Sequence, residues 1–233
     1  MSEKSGQCGQ SMTEFVIIAP FLILIVMGTL QFAFIYNAKA TVNFATFQAA
    51  RTGAVNQGKL TQIERAFARN MAALYTNSDN IAALQKARER VDKEITDGFV
   101  CMQRINPPEA AFLDHSLTSG EIPNDNLMFR DPTVGLNSGL SIQDANLLKI
   151  RVTYCFEMIV PFVNRTIAAM ATASDTDDDA YGFVADKAEV RFRPSGGFQK
   201  QCYKEQRIPI VAQAIVRMQS AAVTDGGFAT SCD

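Results

Sequence analysis

Histidine occurs once in 233 residues. That scarcity excludes most histidine-dependent catalysis and most histidine-built metal centres. A basic excess is missing too: Lys plus Arg total 22 and Asp plus Glu 24, a net charge of −2. No electrostatic footprint for nucleic acid exists, and no nucleic-acid partner is expected. The chain has no C-x-x-C, H-E-x-x-H, G-x-S-x-G or phosphate-cradling glycine loop, so no metal, cofactor or nucleophile-elbow chemistry is expected. Asp114-His115-Ser116 does not make up the deficit, because neighbouring side chains diverge and cannot converge as a triad does. His115 reads as a solvated loop residue. Asp175, Asp177, Asp178 and Asp179 resemble a calcium loop only at first sight. In that register the sixth position is Ala180 and the twelfth Asp186, where an EF-hand needs Gly and Glu. No enzyme is expected.

What the chain has is one long apolar run. With 47% hydrophobic and 20% charged residues it is not disordered in the main. Its near-neutral mean hydropathy averages two unlike parts. Phe15 to Tyr36 carries no charge. At 1.5 Å per residue the run measures about 33 Å, against roughly 30 Å of hydrocarbon. A single membrane span over residues 15–36 follows, in contact with a lipid bilayer. A cleaved secretory signal is the rival reading, since Ala38-Lys39-Ala40 supplies an A-x-A site. Against it, the run exceeds the roughly 7–15 residues of a signal core, and Glu3 offsets Lys4 in the leading segment. The charge bias around the span is weak. Lys39 and Arg51 after it slightly favour the N-terminus outside. Four cysteines beyond the span, Cys101, Cys155, Cys202 and Cys232, argue for the opposite orientation, with the C-terminal part exported to an oxidising compartment.

Just before the run, Gly9 is followed five positions on by Glu14. An acid carried to the centre of a bilayer costs about 2.5–3.5 kcal/mol, so one at the threshold needs a reason. One is local: Ser11 and Glu14 have the spacing of a capping box, and an acid in a first helical turn suits the helix dipole. Another is a processing site, in which a peptidase cuts after Gly9 and the acid at the fifth mature position guides assembly. The two are compatible.

Gly9, Glu14, Phe15, Pro20, Gly28 and the later Ala49-Ala50-Arg51-Thr52-Gly53 together resemble the TadE family, minor pseudopilins of the bacterial tight-adherence (Tad) pilus. The resemblance covers about residues 9–54. Residues 122–165 and 208–220 also look like longer members of that family. Cys8 departs from the pattern; a lipoprotein signal, however, places its Cys after an apolar run, not before one. The resemblance implies an inner-membrane precursor with a cytoplasmic leader, residues 1–9. A prepilin peptidase would cut between Gly9 and Gln10. Glu14 and Pro20 would serve assembly with other pilins and pseudopilins and with inner-membrane assembly machinery. The mature protein would help to start or cap a pilus, its head in the periplasm. Two other readings stay open: an unprocessed, membrane-anchored periplasmic binding or scaffold protein, and a secreted enzyme cut after Ala40.

The expected fold is α+β, with a long N-terminal helix over residues 10–54 running into a head over residues 55–233. Beyond the span the helix continues with Ala38, Val42, Ala45 and Ala49 on one face, and Phe44 and Phe47 on another. Gly53 is the expected C-cap. The small-residue face fits either a neighbouring helix or the chain's own head. Thr61-x-x-Glu64 predicts a capping box opening a helix with Ile63, Phe67, Met71 and Leu74 inward. After Asn77-Ser78-Asp79, a third helix is expected with Ile81, Leu84, Ala87, Val91 and Ile95 inward. Its mixed charges, Lys86 to Glu94, form the solvated face. Strand character begins near Phe99 to Ile105. Long loops fill 106–146. Lys149 to Glu157 alternates as a half-buried strand, with Cys155 on its polar face. A short helix over 162–173, a strand near 190–192 and a strand from Ile210 to Met218 complete a small antiparallel sheet. The favoured disulfides are Cys101–Cys155 and Cys202–Cys232.

Overall fold

The computed structural model describes residues 10–76, 78–117, 119–161, 163–164 and 197–224. The first helix, α1, runs unbroken from Gln10 to Val55, 46 residues, or about 69 Å. α2 spans Leu60–Met71, α3 Ile81–Thr96, β1 Val100–Asn106, α4 Glu109–His115, β2 Glu121–Ile122 and α5 Ile142–Ala145. β3 (Leu147–Glu157), α6 (Gly197–Lys204), β4 (Arg207–Arg217) and β5 (Ala222–Val223) follow. The fold is α+β, as its sequence predicts.

The main sheet has the order β1-β3-β4 and is antiparallel throughout. Val152 stands between Met102 on one side and Ala212 on the other. Leu148, Ile150, Val152 and Tyr154 are fully buried on one face of β3, the spacing of two that a strand with one face toward the core requires. β2 and β5 form a separate two-stranded ribbon.

The far half of α1 is built into this core. Gln31, Ala38, Val42, Ala45, Ala49, Ala50 and Ala54 are buried, and Ile35 is packed against the same cluster. The rows 31, 35, 38, 42, 45 and 49 step by four and three, so they form one stripe along the helix. The main contacts of α1 are with α2, β3 and β4. Of the two partners open to the small-residue face, the chain's own head occupies it. Phe44 and Phe47 point away and are about half exposed.

Several local expectations fail for non-local reasons. Gly53 lies inside α1 and is not its cap. A Cβ there would come within 2.7 Å of Ile63 and 2.9 Å of Leu148, so glycine lets α2 and β3 approach the helix. The chain turns off two residues after Val55, at Gln57 (φ 61°) and Gly58 (φ 71°), and the Gly58 N–H donates to the Gly53 carbonyl at 2.8 Å. Gly53→Ala is therefore expected to cost about 1–3 kcal/mol, the range for overpacking a filled core, measured by thermal unfolding in detergent.

Thr61 does not cap α2. The helix starts at Leu60, with Lys59 in the cap position and no side-chain cap bond. α1 likewise begins at Gln10, upstream of Ser11, so Ser11 is inside the helix. α3 is capped by Asn80, whose Oδ1 accepts from the Ala83 N–H at 2.6 Å. Ala87 and Val91 are buried, as the period demands, but Ile81 (77% exposed) and Leu84 (49%) overhang the core. Glu94, assigned to the solvated face, is buried. The expected helix over 162–173 and strand near 190–192 fall almost wholly outside the described residues, as do Asp175, Asp177, Asp178 and Asp179.

Candidate functional site

The candidate site is the near half of α1. Met12, Phe15, Val16, Ile17, Ile18 and the apolar residues from Phe21 to Leu30 are largely exposed. The apolar stretch is almost entirely free of protein contact within the chain, and α1 is long and apolar enough to cross a membrane. In water such exposure would be an aggregation hazard, and in a bilayer it is what lipid requires. Pro20 sits within this stretch and is exposed. It has no N–H to return to residue 16, yet the helix continues through it. Thr29 turns its hydroxyl back onto the Val26 carbonyl at 2.8 Å. Glu14 is exposed near the start of α1, and Gln10 is the helix's first residue. Gly9 lies outside the described residues.

Where the bare stretch ends, the head begins. Gln31 is fully buried, and its Oε1 accepts from the Val160 N–H at 3.0 Å. That contact places the chain just after β3 against the helix at residue 31, within the segment the sequence assigns to the bilayer. The signal for it was present, since Gln31 is the one amide side chain in an uncharged run, but the run's apolarity masks it. Further along, Lys39 donates to the Val211 carbonyl. At the far end the Ala54 carbonyl accepts from the Gln219 N–H (2.9 Å) and the Ser220 hydroxyl (3.0 Å). The helix and β4 thus run side by side in the same direction.

A buried polar cluster braces the end of the sheet nearest Gln31. Arg207 makes a bidentate ion pair with Glu94, at 2.5 and 3.3 Å, and donates to the Cys155 carbonyl at 3.1 Å. Its guanidinium also stacks on Phe99, 3.8 Å from the ring centre. Alongside, the hydroxyls of Tyr75 and Tyr154 share a hydrogen bond. Burial pushes both phenols up from their ordinary range, so both stay protonated, and one hydroxyl donates to the other. Arg90 caps Tyr75 from outside at 4.5 Å and pairs with Glu157 at 3.1 Å, a half-exposed contact of little energetic weight.

Cys155 is bonded to Cys202, with Cα atoms 5.3 Å apart. Both expected pairings, Cys101–Cys155 and Cys202–Cys232, are therefore replaced. The reason is register: Cys101 stands opposite Thr153, so Cys155 is its diagonal neighbour. Diagonal positions lie about 7–8 Å apart, beyond disulfide reach. α6 instead lays Cys202 over the second face of β3, which is why Cys155 is buried on what alternation marks as a polar face. Cys101 is itself disulfide-bonded, and Cys232 lies outside the described residues.

Asp114 and His115 serve a loop. His115 closes α4, with Nε2 2.8 Å from the Leu140 carbonyl. The Asp114 carboxylate accepts from the Ser138 hydroxyl and N–H (both 2.7 Å) and from Asn137. These donors, the Ser138 hydroxyl foremost, hold the carboxyl well below the usual carboxylate range. A depressed carboxyl stabilises above its unfolded value and loses that contribution as pH falls through the folded one. The Asp114 carboxyl carbon should thus titrate by NMR below the ordinary Asp range, and the 135–140 loop should loosen only there. Among the described residues, no three His, Cys, Asp or Glu side chains gather to hold a metal ion.

Fold and site together define an α+β protein with one long apolar helix among the described residues, its near end a bare apolar stretch and its far end fused along a small head. Residues 9–51 match the family model described as TadE-like protein. The match starts at Gly9 and stops within the seam that α1 makes with the head. The N-terminal segment is TadE-like, and it supports association with a Tad pilus in the general sense. No curated protein and no solved structure matches the chain.

Proposed function

We propose that the chain is a minor pseudopilin of a Tad-type pilus system. It inserts in the inner membrane with residues 1–9 in the cytoplasm and the head in the periplasm. A prepilin peptidase cuts after Gly9, and the mature protein acts with other pilins and the inner-membrane assembly machinery in pilus initiation, assembly or adhesion. The observation that carries this reading is the TadE-like match beginning at Gly9, joined to an α1 whose next stretch is bare of its own head. The Cys155–Cys202 bond supports an oxidising compartment for the head.

Cleavage would leave a positive amine on Gln10, about one helical turn from Glu14. In a bundle of such helices the Glu14 carboxylate can meet a neighbour's amine, offsetting the cost of an acid at the hydrocarbon edge. Ser11 lies inside the helix, which weakens the competing capping role. Glu14→Gln is expected to leave a stable, processed protein that does not support piliation. Gly9→Val should leave the precursor uncut in the membrane, read by N-terminal sequencing. A mature N-terminus at Gln10 and normal pili from Gly9→Val would sink the reading. A wild-type N-terminus at Met1 or Ser2 would favour the unprocessed scaffold instead.

A further inference from the structure

The depth of the head relative to the bilayer is fixed by one contact, and it brings a second apolar element to the membrane. Glu14 and Gln31 are separated by about 26 Å of helix, against a hydrocarbon core of roughly 30 Å. With Glu14 at one boundary, Gln31 lies just inside the opposite one. Gln31 holds Val160, so residues 158–161, Met-Ile-Val-Pro, sit at that same level. This segment carries no charge. Met158 and Val160 turn inward and are buried, whereas Ile159 is 63% exposed. On α1 the exposed aromatic residues at this height are Phe32, Phe34 and Tyr36, and Tyr36 has the amphipathic ring that is enriched at headgroup level.

We propose that residues 158–161 dip into the outer membrane–water interface, with Ile159 in contact with lipid, as a second anchor beside α1. A head that stood clear of the bilayer on its helix would leave Ile159 and the exposed rings of Phe32, Phe34 and Tyr36 in water. A head whose edge is seated at Gln31 cannot stand clear, because the Gln31–Val160 bond ties its depth to that of the span. The inference rests on α1 crossing a bilayer, and the experiment separates the two.

The chain contains no tryptophan, so a single introduced one is an unambiguous reporter. Full-length Leu24→Trp, Ile159→Trp and Leu136→Trp would each be reconstituted into phosphatidylcholine–phosphatidylglycerol vesicles, with or without bromine on the acyl chains. Position 159 tolerates the larger ring because it is exposed. Leu136 is fully exposed in the loop that precedes α5 and the start of β3, at the end of the head farthest from Gln31, and serves as the dry-land control. The expected result is strong quenching at 24, quenching at 159 of at least half that extent with a blue-shifted emission, and none at 136. Quenching at 24 but not at 159 overturns the inference and leaves the span intact. A blue shift at 159 without bromine quenching also overturns it, since protein and not lipid would then cover the site. No quenching at 24 removes the span and the inference together.

Discussion

Glu94→Ala is expected to destabilise the head by about 3–5 kcal/mol, the cost of stranding one member of a buried ion pair. Both partners are nearly withdrawn from solvent, with side-chain exposures of 13% for Arg207 and 8% for Glu94. Removal of the carboxylate leaves the Arg207 guanidinium with the Cys155 carbonyl, the face of Phe99 and the more distant, half-exposed Glu157 carboxylate of the neighbouring strand. Urea unfolding followed by circular dichroism measures the loss. The loss belongs to the unpaired charge more than to the pair, because a buried pair gains little over apolar residues of the same volume. The double variant Glu94→Leu/Arg207→Met should therefore recover most of the stability that Glu94→Ala loses. A single variant within about 1 kcal/mol of wild type would show that water reaches Arg207.

Loss of the Cys155–Cys202 bond has an expected effect of the same order. The two cysteines are separated by 47 positions, and closing a loop of that length restrains the unfolded chain by about 4 kcal/mol in the chain-entropy account. Cys155→Ser should lower the midpoint of unfolding accordingly. The connectivity has its own check. Trypsin without reductant should release the peptide 152–165 joined to 201–204, and recovery of Cys155 linked to Cys101 would contradict the structure. Because Cys101 is bonded separately, full reduction should cost more than Cys155→Ser alone.

The elements whose burial follows a local period were legible in the sequence. Ile63, Phe67 and Met71 announce one side of α2, and alternation from Ile150 to Phe156 announces β3, because spacing alone decides which face they present. The small-residue stripe on α1 was legible as a stripe, while its partner was not. Whether Ala38 to Ala49 meets a foreign helix or its own sheet depends on where β4 goes after α6, and no local pattern carries that. Gly53 makes the same point. A glycine near a helix end reads as a cap, and only the approach of Ile63 and Leu148 reveals it as a clearance. Glu94 sits among charges that alternate in sign, so its partner in β4, more than a hundred residues on, is invisible from α3. The disulfide failed for lack of register, since a diagonal pair and an opposed pair look alike until the strands are aligned. For the candidate site, the apolar run and the Gly9–Glu14 spacing were plain in the sequence. Gln31 and its grip on Val160 were not, because an amide inside an apolar run has no meaning until something is found to bond it.

The parallel course of α1 and β4 has a mechanical side. A tug along the axis of α1 does not peel the head away residue by residue. It slides the whole stripe from Gln31 to Ala54 against its bed at once, so the contacts at Gln31, Lys39 and Ala54 share the load. A joint loaded in shear yields only when all of it yields, whereas one loaded by peeling fails at its weakest tooth. A helix drawn out of a membrane would accordingly take its head with it as cargo, seated and in register.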